Sequence, residues 1–93
     1  MKVLVYSKEH CPYCVQAKQL LTQKKVQFEE VHVDQDPKKL GEMLAKSNGQ
    51  RTVPQIFIGD HHVGGFTDLR ELDQQGRLDE LLKSLDELLK KGE

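Results

Sequence analysis

Lys2-Val3-Leu4-Val5-Tyr6-Ser7-Lys8-Glu9-His10-Cys11-Pro12-Tyr13-Cys14 passes from strand to loop to helix, and it decides how the rest of the chain is read. Residues 2–6 are rich in β-branched and aromatic side chains, which predicts a short buried strand. Ser7 to Cys11 reads as a loop. Pro12 stands where a helix opens, because proline tolerates the first turn and presets its φ. Cys14, Val15, Ala17, Lys18, Leu20 and Leu21 then recur at helical spacing to about Lys25. The two cysteines therefore bracket the start of a helix, where free N–H groups and the positive end of the helix dipole favour an anion. A thiolate there ionises more easily than a free cysteine, whose pKa is about 8.5. Cys11 precedes or caps the helix and is expected to attack; Cys14, one turn inside and less exposed, is expected to resolve. Lys8 is close enough in sequence to add positive charge.

Working outward, Phe28-Glu29-Glu30-Val31-His32-Val33 predicts a second strand. Asp36-Pro37 opens a second helix with Asp36 as its cap and Leu40, Met43 and Leu44 turned inward. Gly49 is expected to end it in a left-handed conformation. Val53 to Ile58 and His61 to Gly64 read as two strands joined by a tight turn at Gly59-Asp60. Leu69 and Leu72 mark a short helix that Gly76 punctuates. Leu78, Leu81, Leu82, Leu85, Leu88 and Leu89 mark a last amphipathic helix, ending in the normal positive charge of Lys90-Lys91. The order βαβαββαα implies an α/β domain spanning residues 1–93, with a four-stranded mixed sheet and helices on both faces.

A chain of 93 residues is long enough for one domain and too short for two. The hydrophobic fraction is 37% and the charged fraction 31%, which suits well-solvated helix faces. A formal net charge of -1 with no basic stripe argues against nucleic acid or an acidic membrane as partner. The apolar run at the start is too short for a signal peptide or a membrane span, so the expectation is a mature chain that begins near Met1 and stays in the cytoplasm. Two cysteines three residues apart close almost no loop and add little stability, so their placement asks for a chemical explanation. Half of a structural zinc site is the first alternative, but a second ligand pair is missing, and His61 and His62 point to opposite faces of a strand. No metal is expected. An inert buried pair is the second, and it leaves the strand-to-helix setting unexplained.

Cys11-Pro12-Tyr13-Cys14 in this setting resembles the active site of the dithiol glutaredoxins. Thr52-Val53-Pro54 looks like that family's TVP segment, and Gly64-Gly65-Phe66-Thr67-Asp68 looks like its GG-x-[ST/D]-D segment. The three motifs keep the family's order and spacing, and the match runs from Val3 to about Leu82. The resemblance implies a thioredoxin-like fold and a glutathione-dependent thiol–disulfide oxidoreductase, with no tightly bound cofactor and glutathione as reducing co-substrate.

It also implies a cis Val53-Pro54 bond that turns the Val53 N–H and C=O toward the cysteinyl part of glutathione. The rival reading of Pro54 is the first residue of an edge strand. Gly64 and Gly65 let backbone approach closely. The N–H groups of Thr67 and Asp68 then receive the γ-glutamyl carboxylate, the Thr67 hydroxyl assists, and the Asp68 carboxylate accepts from the ammonium. A helix cap is the plainer role for this pair and is compatible with the first. Lys8 and Arg51 are candidates for the glycyl carboxylate, with Tyr13 against the tripeptide backbone. His10 reads as a solvated loop residue.

The expected partners are glutathione and disulfide-containing or glutathionylated proteins. Ribonucleotide reductase is served by some relatives, although no residue here names the client. A monomer is the default. Two other functions compete with this one. A redoxin reduced by thioredoxin reductase would not need Tyr13, Thr67 and Asp68. A carrier of an iron–sulfur cluster held by Cys11 and glutathione is disfavoured by the stiff, crowded Pro12-Tyr13.

Overall fold

The computed structural model describes residues 3–83. Its strands are β1 (Val3–Ser7), β2 (Glu29–His32), β3 (Gln55–Ile58) and β4 (His61–Gly64); its helices are α1 (Pro12–Gln23), α2 (Pro37–Lys46) and α3 (Phe66–Gln74). A further helix, α4, covers 77–83 within the described residues. The expected strand residue Lys2, the leucines Leu85, Leu88 and Leu89 and the pair Lys90-Lys91 lie outside them.

The sheet order is β2-β1-β3-β4, with β1 parallel to β2 and β3 antiparallel to both of its neighbours. The mixed four-stranded sheet is the one expected from the element order. Side chains alternate across a strand, so each central strand feeds two cores. Val3 and Val5 of β1 and Ile56 and Ile58 of β3 pack against Ala17 and Leu21 of α1, Leu69 of α3 and Leu78 of α4. On the opposite face, Tyr6 and Phe57 pack against Met43 of α2, with Leu40 and Leu44 beside it. Helices thus cover both faces. No helix among the described residues is long and apolar enough to cross a membrane.

Local chemistry sets the helix ends. Asp36 caps α2 by accepting from the Lys38 N–H at 3.0 Å, and Pro37 occupies the first turn. Past the other end, Gly49 has φ +87° and its N–H reaches the Leu44 carbonyl at 2.8 Å, the left-handed ending expected of it.

Several boundaries differ from the sequence expectation: β2 is trimmed by one residue at each end, α1 stops at Gln23, and two further shifts have a clear physical reason. Ser7 belongs to β1 rather than to the loop: it is fully buried, and its hydroxyl donates to Glu30 at 2.7 Å, a partner 23 positions away in sequence. Val53 and Pro54 stand outside β3, which begins at Gln55. Nor is β3 an edge strand, since it lies between β1 and β4. A proline inside a central strand would cost a ladder hydrogen bond, so the strand starts only after it.

Glu30 ties three elements together. Its carboxylate accepts from Ser7 of β1 and pairs with the Lys18 ammonium of α1 at 2.8 Å, and His32 lies 3.5 Å away. Partial burial pushes the Glu30 carboxyl up, but the Lys18 ammonium and the Ser7 hydroxyl outweigh that and hold it below its ordinary value of 4.5. A carboxyl whose pKa is lowered by folding stabilises the fold above the unfolded value, and that contribution is lost as pH falls through the lower folded value. Glu30→Gln is therefore expected to lower the urea midpoint at pH 7, with the gap from wild type closing as pH falls below about 4.5. A gap that widens toward low pH contradicts this. In the core, Leu21→Ala should cost about 2–5 kcal/mol by equilibrium unfolding, since Leu21 is wholly buried.

Candidate active site

The sulfur of Cys11 does the work of a helix cap. Cys11 has extended backbone, and its Sγ accepts the Cys14 N–H at 3.2 Å. Serine, threonine or aspartate usually fills such a position through oxygen. Here sulfur meets the unpaired N–H groups and positive end of α1, so a negative charge on it is favoured. No acidic residue occupies the first turn of α1 to oppose that charge.

Cys11 and Cys14 form a disulfide, with Cα atoms 5.2 Å apart. Cys11 keeps 8% of its surface exposed and Cys14 only 1%. The exposures order the pair as the sequence suggested: a partner sulfur can reach Cys11 but has almost no approach to Cys14. His10, just before them, is exposed and adopts φ +55°, a left-handed turn that aims the chain into the helix.

Around Cys11 the structure gathers most of the residues singled out from sequence. The Val53–Pro54 peptide bond is cis, and the Val53 carbonyl oxygen lies 3.8 Å from Cys11 Sγ. Gly65 borders the same segment, since a Cβ placed there would stand 3.6 Å from the Pro54 carbonyl. Tyr13 is 60% exposed and stacks on Phe66 of α3, centroids 6.3 Å apart and planes at 25°. Arg70 lies over the Phe66 ring at 5.6 Å.

The start of α3 differs from the other two helix starts. Its cap is Gly65, which has no side chain to offer, so no capping side chain accepts from the first-turn N–H groups of Phe66, Thr67 and Asp68. Asp68 Oδ2 accepts from the Gly65 N–H at 3.0 Å, which fixes the carboxylate beside those groups. Gly64 has φ +110°, and a Cβ there would collide with that carboxylate. Glycine at 64 is required on both counts. Thr67 and Asp68 are exposed.

Lys8 is exposed and lines a cleft of about 490 Å³ together with Cys11, Cys14, Lys18, Glu30 and His32. Arg51 and Thr52 are exposed in the loop before β3. Among the described residues no group of three or more His, Cys, Asp or Glu is placed to hold a metal ion.

Sequence reasoning gave no role to Phe66 or to Lys18. Lys18 was within reach, because four residues separate it from Cys14 and put both on one helix face. The pairing of Phe66 with Tyr13 joins helices far apart in sequence, and no local pattern signals it.

The sequence and the fold are similar to those of known proteins. The glutaredoxin family model matches residues 3–63. A glutaredoxin of Pseudomonas aeruginosa is 49% identical over 82 residues, covering 88% of this chain and 96% of the relative. Glutaredoxin 3 of Escherichia coli K12 is 52% identical over 81 residues, covering 87% and 96% respectively. The crystal structure of a buckwheat glutaredoxin–glutathione complex superposes with a TM-score of 0.82 at 32% identity, over 91% of this chain and 79% of that one. The fold is thioredoxin-like, and this chain belongs to the glutaredoxin family of thiol–disulfide oxidoreductases.

Proposed function

We propose that the chain uses glutathione to reduce protein disulfides and glutathione mixed disulfides, with Cys11 as the nucleophile and Cys14 as the resolving thiol. The observation that carries this reading is the capping geometry: the sulfur bonded to the helix N–H is also the accessible one of the pair.

In the monothiol branch, the Cys11 thiolate attacks the glutathione sulfur of a glutathionylated protein. The new bond joins Cys11 to glutathione, and the old bond breaks to release the protein thiolate, which takes up a proton. A second glutathione thiolate then attacks the bound one, giving glutathione disulfide and restoring the Cys11 thiolate. In the dithiol branch, Cys11 attacks a protein disulfide, and Cys14 gives up its proton and displaces the client thiolate from Cys11. The Cys11–Cys14 disulfide that remains is reduced by two molecules of glutathione. In the dithiol branch two glutathione molecules supply the two electrons that reduce one client disulfide; in the monothiol branch one free glutathione is consumed and leaves as glutathione disulfide with the glutathionyl group taken from the client.

The tripeptide lies along the groove between Tyr13, the Thr52-Val53-Pro54 segment and the start of α3. The Val53 backbone pairs with its cysteinyl residue in the manner of an added strand, and Tyr13 supports its backbone. The first-turn N–H groups of Thr67 and Asp68 receive the γ-glutamyl carboxylate beside Gly65. With Asp68 Oδ2 committed to the Gly65 N–H, Oδ1 accepts from the ammonium. Lys8 and Arg51 flank the opposite end and meet the glycyl carboxylate. The buckwheat relative forms a complex with glutathione, which supports glutathione as the ligand. The chain works as a monomer in the cytoplasm, and its clients are disulfide-bearing or glutathionylated proteins.

In a glutathione-coupled assay, Cys14→Ser should keep its activity on a small glutathione mixed disulfide and lose it on a protein disulfide. Cys11→Ser should lose both, and equal losses in the two variants contradict the assignment of roles. Asp68→Asn should raise the apparent KM for a glutathionylated peptide about tenfold or more, since hydrogen bonds to a charged group are worth about 1.5–3 kcal/mol. An unchanged KM removes Asp68 from the site.

A further inference from the structure

Gln55 is the buried polar side chain closest in sequence to the Val53-Pro54 segment, and each of its polar atoms has a partner. It is 2% exposed at the first position of the central strand β3. Its Nε2 donates to the Thr52 carbonyl at 3.0 Å and to the Thr52 hydroxyl oxygen at 3.1 Å. Its Oε1 lies 2.6 Å from His62 Nε2, on the neighbouring strand β4.

The chemistry of the partners fixes the direction of the chain of bonds. A backbone carbonyl can only accept, so the amide nitrogen faces Thr52 and the amide oxygen faces His62. An amide oxygen can only accept as well, so the proton of that last bond belongs to His62 Nε2. The polarity runs His62 to Gln55 to Thr52.

The outer member of this relay is itself held. The His62 ring stacks on Phe57 with centroids 4.7 Å apart and planes at 19°, and the two residues are opposite each other in the β3–β4 register. A register irregularity between Ile56 and Phe57 intervenes. Phe57 is 3% exposed and belongs to the core beneath α2. The loop residue Thr52 is thereby anchored through two side chains to the sheet, although Thr52 itself is exposed. Val53 follows directly, with its carbonyl oxygen 3.8 Å from Cys11 Sγ.

We propose that Gln55 and His62 are positioning residues that hold the Thr52-Val53-Pro54 backbone in register with Cys11, so that glutathione meets a preformed edge. They touch neither sulfur nor tripeptide. The inference rests on the reading of that segment as part of the glutathione site. A preformed edge removes the ordering cost of the loop from binding, so its loss raises KM and leaves the thiol chemistry alone.

The test compares Gln55→Leu and His62→Phe with wild type on a glutathionylated peptide, with Asp68→Asn as a control for the site itself. Apparent KM, kcat, the rate of Cys11 alkylation by iodoacetamide in the reduced protein, and the melting temperature are read for each. Both variants are expected to raise KM about tenfold, the scale of one or two lost buried hydrogen bonds. Cys11 alkylation should stay within about twofold, because the sulfur keeps its helix contact. His62→Phe keeps the ring stack and folds without a new cavity, so it carries the test if Gln55→Leu does not fold. His62→Gln, which offers an N–H at the same reach, should recover most of the lost KM. An unchanged KM in His62→Phe overturns the proposal, as does a fall in alkylation rate that matches the rise in KM. If Asp68→Asn also leaves KM unchanged, the glutathione site has been misplaced and this inference falls with it.

Discussion

One contact organises the site: a sulfur atom in the position where helices usually place an oxygen. The Cys14 N–H needs an acceptor because no earlier turn of α1 supplies one, and Cys11 Sγ supplies it at 3.2 Å. The bond does two things at once. It satisfies the Cys14 donor at the helix mouth, and it holds the sulfur where a negative charge is welcome. The three-residue spacing sets the two cysteines about one turn apart, with Cys11 the more exposed and Cys14 almost wholly buried.

The rest of the fold keeps that helix mouth in place. β1 delivers the loop to Cys11, and its buried Val3 and Val5 meet Ala17 and Leu21 of the same α1. The Glu30 network fastens α1 to β1 and β2 from the far side. On the near side, the chain turns at Pro54 before entering β3 and puts a carbonyl beside the sulfur. α3 presents a start capped by glycine, which leaves donors for an anion where α2 spends its own on Asp36. The groove is thus a meeting of three backbone edges. Few of its contacts depend on long flexible side chains.

The parts of this arrangement set by neighbours in sequence were legible from the sequence. Pro12 after Cys11, Asp36 before Pro37 and the i, i+3, i+7 spacing of Cys14, Ala17 and Leu21 each carry a local rule, and each holds in the structure. The roles of Gly64 and Asp68 could be placed through the motif they share. What depends on register was not legible. The pairing of Ser7 with Glu30 follows from how β1 lies against β2, and that alignment has no short-range signature. The meeting of Gln55 with His62 crosses from β3 to β4, and that contact has no short-range signature either. Lys8 is close to Cys11 in sequence, and the structure keeps both on the wall of one cleft.

The central claim is that α1 favours the charged form of Cys11. The direct measurement is a titration of thiolate absorbance at 240 nm in reduced Cys14→Ser protein, where Cys11 is the one sulfhydryl. The account predicts ionisation well below that of a free cysteine, complete or nearly so at neutral pH. A thiol that ionises at or above the free-cysteine value would contradict it.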